Sequence, residues 1–422
     1  MSMAKHRNRV NGSTGARDQH RSASLVEHRT VLISGASIAG PALAFELARY
    51  GFQPTIVERA DALRLGGQNI DVHGAGRRVV RHLGIEDAIR AATTGELGLR
   101  FVDAHDRTKA EFPAENVDIN SFTKELEILR GDLASILYER TRKTTEYLFG
   151  NQITNLQDRG DRVTASFEHG AERTFDLVVA ADGLGSRTRT FIIGDEPKIH
   201  PLNMYAIWFT IPRAASDTAW ARWYHAPGSR SMLLRPDNVG TTRVSLWFLS
   251  SPHGYERLSV DAQKTLIARI FADAGWEAPR VLAGLADAED MYLDTVSQVM
   301  APRWSNGRAA LVGDAAYCPS PVSGMGANLA LVGAYVLAGE LARHTNHRDA
   351  FAAYEKLMRP YVDLAQKLPP GVPWIAHPRT RLGISLFHTV LWLASRPMLR
   401  HRVGTFGSSA DKIELPDYAS KG

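Results

Sequence analysis

Apolar residues recur along the chain with two periods, and the switches between them mark the elements. Thr30-Val-Leu-Ile-Ser34 is a short apolar run leading into Gly35-Ala-Ser-Ile-Ala-Gly40, which predicts a buried strand entering a glycine turn. The period then becomes helical. Leu43, Ala44, Leu47 and Ala48 form one stripe, Pro41 suits a first turn where its missing N–H has no helical partner, and Gly51 ends the element. A second strand, Pro54-Thr-Ile-Val-Glu58, completes a strand, helix, strand unit of about 30 residues, the length of a right-handed parallel crossover.

Further on, Leu126-Glu-Ile-Leu-Arg130 predicts a strand end at a helix junction, with Asp132 as N-cap and Leu133, Ile136 and Leu137 on one helix face. Residues 161–181 alternate as in a hairpin, Arg162–Phe167 against Thr174–Ala180, and the chain turns at Asp182-Gly183. The middle third differs. Tyr205–Ile211 and Thr242–Leu249 are aromatic and β-branched runs between Gly-, Pro- and Ser-rich turns, which predicts a separate, largely antiparallel sheet. The first pattern then returns in Arg308-Ala-Ala-Leu-Val-Gly313-Asp314, followed by a loop and a helix from about Gly326 to Ala342, so the first domain is discontinuous. Its expected segments are 29–95, 122–192 and 296–345, with 96–121 and 193–295 in the second domain and 346–405 a helical C-terminal region. Leu382–Ala394 is too short and too interrupted by Gly383, Ser385, His388 and Thr389 to span a bilayer, and predicts a packed helix. A polar tail is expected from about Gly407.

With 422 residues, 44% of them hydrophobic and 23% charged, the chain can bury a large core. Its net charge of +5 is mostly local, because residues 1–30 hold six basic and two acidic side chains, +4 of the total. The first 28 residues carry no apolar run and are expected to be a disordered basic extension, and the near-neutral remainder excludes a nucleic-acid-binding face. Cys318 is the single cysteine, so an intrachain disulfide and a cysteine-rich metal site are excluded, and a reducing, cytoplasmic setting fits.

Gly35-x-Ser37-x-x-Gly40 is a dinucleotide fingerprint with serine at its middle position, where an absent side chain normally lets pyrophosphate approach the backbone. The helix start beyond Gly40 offers free N–H groups to phosphate, and Glu58, with Arg59 beside it, stands where ribose hydroxyls would be accepted. This unit predicts an ADP-moiety site and leaves NAD and FAD both open. Two later segments, Ala181-Asp182-Gly183-Leu-Gly-Ser186-Arg-Thr-Arg189 and Gly313-Asp314-Ala-Ala-Tyr317-Cys-Pro-Ser-Pro-Val-Ser-Gly324-Met-Gly326-Ala-Asn328, each put an acid after a hydrophobic strand. Such acids can take ribose or ribityl hydroxyls, while the glycine-rich run lets backbone amides reach a flat ring.

In these motifs the chain resembles the single-component FAD-dependent aromatic hydroxylases, the para-hydroxybenzoate hydroxylase-like family, over most of residues 30–345. Gly66-Gly-Gln-Asn-Ile-Asp71-Val-His73 and Leu129-Arg130-Gly-Asp-Leu133 are most similar to tetracycline-inactivating and polyketide monooxygenases. The resemblance implies an α/β fold, with a Rossmann-like FAD-binding domain of glutathione reductase type interleaved with a mainly antiparallel β-sheet substrate domain, then a C-terminal helix. It implies non-covalent FAD, NADPH as transient reductant, and oxygen passed from a flavin hydroperoxide to an aromatic or polyketide small molecule. By the same resemblance Arg130 lies against the flavin, Asp71 near its ring system, Asp182 where pyridine nucleotide and pyrophosphate meet, and Asp314 on the ribityl chain. Arg64 would help receive NADPH, and Gly324, Gly326 and Asn328 line the cofactor loop. Tyr317 departs from the histidine many relatives carry, which leaves that position's role open.

Bland readings stand beside these. Arg130 could be an ordinary strand-end charge, Asp182 a turn residue and Cys318 a packing residue, while Trp208, Trp223, Tyr224, Trp247 and Phe248 either line a cavity or simply pack. No acid–base pair or metal site has convincing spacing; His225 could deprotonate a phenol but is not assigned that role. Two alternatives stay open: a flavin-dependent halogenase, whose Trp-x-Trp-x-Ile-Pro signature is half echoed by Ile207–Pro212, and a non-catalytic flavin-binding redox protein. Oligomeric state, monomer or homodimer, is not legible.

Overall fold

The computed structural model describes residues 29–64, 66–114, 126–369, 371–396 and 413–418; the extension expected over 1–28 and the boundary at 121–122 lie outside them. Its centre is a six-stranded sheet. β1 (Thr30–Ser34) runs parallel to β2 (Gln53–Val57) on one side and to Leu177–Ala180 on the other. Glu146–Leu148 extends the sheet beyond β2, and Ala309–Leu311 with the antiparallel Ser305–Asn306 extends the far edge. Val31, Leu32 and Ile33 are wholly buried, which is why β1 reads as a continuous apolar run: a parallel sheet is covered on both faces.

Helix α1 (Ala39–Arg49) connects β1 to β2. Helix α2 (Arg130–Thr141) follows the strand Leu126–Leu129, and α3 (Gly326–Arg343) packs on α1 with nearly its whole surface buried, as its all-round apolar sequence demands. Asp132 is not the N-cap of α2. The cap is Leu129 in extended conformation, and Asp132 sits in the first turn, where its charge favours the positive helix end while it accepts from Asn238 Nδ2 at 3.2 Å. The alternating run 161–181 also divides. Val163–Phe167 and Arg173–Phe175 form a hairpin joined by Ile153–Asp158, whereas Leu177–Ala180 enters the central sheet. The break is Asp176, whose carboxylate accepts from the N–H and Oγ of Thr30, both at 2.8 Å.

The second layer is a seven-stranded sheet in the order Tyr292–Met300, Lys198–Pro212, Thr241–Leu249, Arg230–Pro236, Ala221–Ala226, Gly98–Val102, Thr108–Pro113. All its pairs are antiparallel except that of Ala221–Ala226 with Gly98–Val102. One face, with Tyr205, Ile207, Tyr224, Leu246 and Phe248, packs on the helices Val260–Phe271 and Ala278–Asp287. The opposite face carries the tryptophans.

Helix α4 (Arg381–Ala394) lies against Thr108–Pro113 and Ala221–Ala226. It buries His388 and Leu391, yet Leu382 and Leu386 remain 81% and 65% exposed, so it packs by one narrow stripe only. Among the described residues no helix is long and apolar enough to cross a membrane. The tail expected from Gly407 is corrected at its end. Ile413–Tyr418 docks on α3: the Tyr418 ring fills the space an added Cβ at Gly339 would need, its hydroxyl donates to Glu340 at 2.6 Å, and Arg343 lies 4.2 Å over the ring. Tyr335 and Arg78 donate to the carbonyls of Pro416 and Ile413, so a polar composition hides two buried anchors.

Removing that anchor has a defined cost. Tyr418→Ala should destabilise the FAD-loaded protein by about 3 kcal/mol in denaturant unfolding, and Tyr418→Phe, which leaves Glu340 without its O–H donor, by about 1 kcal/mol.

Candidate active site

The glycine turn is a steric requirement. Gly35 holds φ at 108°, and a Cβ there would lie 2.5 Å from the carbonyl oxygen of Ala181; a Cβ at Gly40 would run into Gly35 O. The turn is thereby pressed against Ala181 and Asp182. No side chain caps the start of α1, and Pro41 brings no N–H, so the first-turn amides of Ala39 and Gly40 are left for an anion at the positive helix end. Glu58, one residue past β2, braces the turn from below: Oε2 accepts from Ala36 N at 2.9 Å and Oε1 from Ala60 N at 3.0 Å.

Arg130 meets this turn from the other side. As the first residue of α2 it donates its backbone N–H to Gln68 O at 3.0 Å, and its Nη2 donates to Ser37 Oγ at 2.7 Å. The serine that replaces the usual middle glycine is therefore the guanidinium's acceptor. Gly67 lies alongside, where a Cβ would make ordinary contact with the Arg130 side chain at 3.4 Å; its φ of 132° is what calls for glycine. Burial lowers the guanidinium pKa below its ordinary value; Asp314, Tyr292 and Glu58 oppose this, and Arg64 adds to it. Asp314, partly buried, is displaced the other way: desolvation raises its carboxyl above the carboxylate range, against the attraction of Arg130. A Cβ on Gly326 would lie 3.8 Å from Asp314 Oδ1, while Gly324, with φ 64°, faces open space. Ser37, Glu58, Arg130, Asp314 and Gly326 thus converge, with the exposed Arg64 near them and the exposed Arg59 next to Glu58.

Other candidates are placed differently. Asp182 accepts from Ser186 Oγ, from Thr188 N at 3.2 Å and from Thr188 Oγ1 at 2.9 Å, so its carboxylate starts the helix Thr188–Ile193 while its backbone abuts Gly35. Asn328 is wholly buried, and its amide is taken by backbone: Oδ1 accepts from His73 N and Nδ2 donates to Asp71 O, both at 3.0 Å. It staples the Asp71 segment to α3. Tyr317 is a core residue, its hydroxyl 2.9 Å from that of Tyr354 and packed where Gly333 has no side chain; burial pushes it up to about 12. Cys318 is buried, with its thiol pushed well up by desolvation. Of the five aromatic candidates, Tyr224 and Phe248 belong to the helix-covered core, whereas Trp208, Trp223 and Trp247 share the opposite face.

One group was missed. Arg235 donates to Glu96 at 2.8 and 3.1 Å and to Glu127 at 2.6 Å, tying the seven-stranded sheet to the ribbon that carries Asp71. Its signal was Glu127, an acid inside the otherwise apolar run Leu126–Leu129.

The FAD binding domain family matches residues 28–365. The chain belongs to this family. Among relatives of this FAD-binding-domain protein, the flavin-dependent monooxygenase eupH of a Phoma species is 34% identical over 93% of this chain and 98% of its own. A flavin-dependent monooxygenase from an unknown prokaryotic organism is 35% identical over 92% and 99%. Of solved structures, the tetracycline destructases Tet(51) and Tet(55) superpose with TM-scores of 0.77 at 31% and 33% identity, each over 93% of this chain and 99% of theirs. The FAD-binding-domain protein is a flavin-dependent monooxygenase with the α/β fold expected of it.

Gly40→Ala should yield protein that retains no flavin absorbance after gel filtration, because the turn cannot close around an added methyl. Ser37→Ala, which removes the acceptor of a charged donor, should weaken FAD affinity roughly tenfold in a fluorescence titration.

Proposed function

We propose that this monooxygenase hydroxylates or oxygenates an aromatic or polycyclic, polyketide-like small molecule, with NADPH as electron donor and O₂ as co-substrate. The observation that carries the reading is the half-buried Arg130, bonded to the glycine turn through Ser37 and close enough to Asp314 for each to act on the other's charge: a desolvated cation and acid beside a loop of small residues. Those residues fit FAD. Glu58 would take the ribose hydroxyls and the start of α1 the phosphates, Asp314 the ribityl chain, and Arg130 the ring system with Asp71 nearby. Asp182 would border the pyrophosphate, and the exposed Arg64 would receive NADPH. Bound there, the flavin would accept hydride and activate O₂. The chain's own task is to position it, exclude water and oppose negative charge, for which Arg130 supplies a fixed cation. The substrate would lie along the tryptophan face, close to Arg130 through Tyr292, whose ring stacks on Trp208 at 5.9 Å. Tet(51) and Tet(55) are named for tetracycline, a polycyclic phenol, which supports that class here. NADPH and the single thiol of Cys318 both suit a reducing cytosol.

The test is the visible spectrum of the purified protein before and after denaturation, then NADPH oxidation against polyketides and simple phenols. Released flavin and substrate-stimulated NADPH oxidation are expected, and Arg130→Ala should lower FAD affinity or the reduction rate by roughly 10- to 100-fold. Protein that stays colourless after incubation with FAD, or flavoprotein that no phenol or polyketide stimulates, overturns the reading.

A further inference from the structure

Helix α4 carries apolar side chains on two faces. The inner face, with Phe387, His388 and Leu391, lies on the seven-stranded sheet: Leu391 joins Leu99, Phe101, Ala110 and Ala221 in one buried cluster, and the Phe387 ring stands 6.3 Å from that of Phe101. Leu382, Leu386, Val390 and Leu393 recur at spacings of four, four and three, which puts them on a second stripe, and all four are exposed. At 100° per residue this stripe falls on the side of the helix away from Phe387 and Leu391, and so away from the sheet.

Seven of the fifteen large apolar side chains exposed among the described residues lie between Trp374 and Leu393, so the exposed apolar surface is concentrated on this segment instead of scattered, the pattern of a binding face. The charge of the segment is one-sided. Residues 371–396 contain no Asp or Glu, while Arg379 and Arg381 stand at the start of α4 and Arg396 just past its end, all three exposed. Arg396 holds its guanidinium over the ring of the exposed Trp392, 4.1 Å from its centre, a cation and an amphipathic ring of the kind that suits a headgroup layer.

We propose that α4 seats the protein on the surface of a bilayer that contains anionic phospholipid. Leu382, Leu386, Val390 and Leu393 enter the acyl boundary, and Arg379, Arg381 and Arg396 lie among the phosphates. The stripe supplies apolar area to remove from water, and the arginines supply the charge match. The helix lies in the membrane plane and does not cross: its 14 residues span about 21 Å against a hydrocarbon core of about 30 Å, and its inner face is held by the sheet. A second copy of the chain is a poorer cover. Two-fold pairing through α4 would bring the same arginines together with no acid of the segment to meet them. The proposal goes beyond the monooxygenase reading and does not rest on it.

Sedimentation of the FAD-loaded protein with vesicles tests this. Vesicles of phosphatidylcholine with phosphatidylglycerol should carry the protein down, and vesicles of phosphatidylcholine alone should bind it roughly tenfold less well; raising the salt from about 0.05 M to about 0.5 M should release it. Leu382→Glu/Leu386→Glu should lower vesicle affinity roughly 100-fold, and Arg381→Gln/Arg396→Gln roughly 20-fold. Both pairs should keep the wild-type flavin content and unfolding midpoint, because these side chains are exposed. Should the glutamates disturb folding, Leu382→Ser/Leu386→Ser is the milder pair, with roughly a tenfold loss. No binding at low salt, binding indifferent to the anionic lipid, or binding that the leucine variants leave unchanged overturns the proposal. A dimer that the glutamate pair splits in gel filtration assigns the stripe to a second copy, and a lowered unfolding midpoint without vesicle binding assigns it to cover from within the chain; either result also overturns it. Sedimentation reads the protein itself, so a flavoprotein that oxidises no NADPH can pass this test and a working monooxygenase can fail it.

Discussion

The structure is organised around the cost of desolvating one guanidinium. A desolvated cation is tolerated only where opposite charge and hydrogen-bond acceptors are brought to it. Arg130 obtains these from segments far apart in sequence: the Ser37 hydroxyl in the first glycine turn, and the charges of Glu58 and of Asp314 beyond the second sheet. The close glycines are corollaries. Gly67 supplies the left-handed backbone beside Arg130, and Gly35 and Gly40 let the turn sit against Ala181 and Asp182. What results is a cation held beside a turn of small residues.

Much of this was legible in the chain because its period is dictated locally. β1, α1 and β2 are read from burial on both faces of a parallel sheet and from a proline at a helix start, and the antiparallel sheet from aromatic alternation. The candidate site was legible as segments, since Glu58, Arg130 and Asp314 each follow an apolar strand. What each side chain does there was not. That Ser37 serves Arg130, that Asn328 spends its amide on backbone, and that Tyr317 pairs with Tyr354 are tertiary facts with no local trace. Arg235 with Glu96 and Glu127 escaped for the same reason: three charges from three segments neutralise one another only after folding.

The C-terminal part shows the limit of composition as a guide. A stretch of polar and charged residues read as a tail, yet its part Ile413–Tyr418 is docked through two buried side chains, Ile413 and Tyr418, because α3 offers a glycine where the ring needs room and an acid where its hydroxyl needs an acceptor. Helix α4 is the converse case, apolar in sequence but packed on one stripe, so hydrophobicity alone overstated how deeply it would sit. In both, the deciding information lies on the partner surface.

The interleaving of the two sheets sets a schedule for biosynthesis. Leu177–Ala180 needs Ala309–Leu311 as its neighbour, and five of the seven strands of the second sheet are threaded between them. The central sheet therefore cannot close until some 130 further residues have left the ribosome, a large loop-closure distance of the kind that slows folding. The inserted sheet contains the consecutive hairpins Ala221–Ala226 with Arg230–Pro236 and Arg230–Pro236 with Thr241–Leu249, which can form first and draw the edges of the central sheet together. Until it does, the strand Leu177–Ala180 presents an unpaired apolar edge to the nascent-chain environment, and this is the interval in which the protein is most exposed to misassociation and most dependent on chaperones.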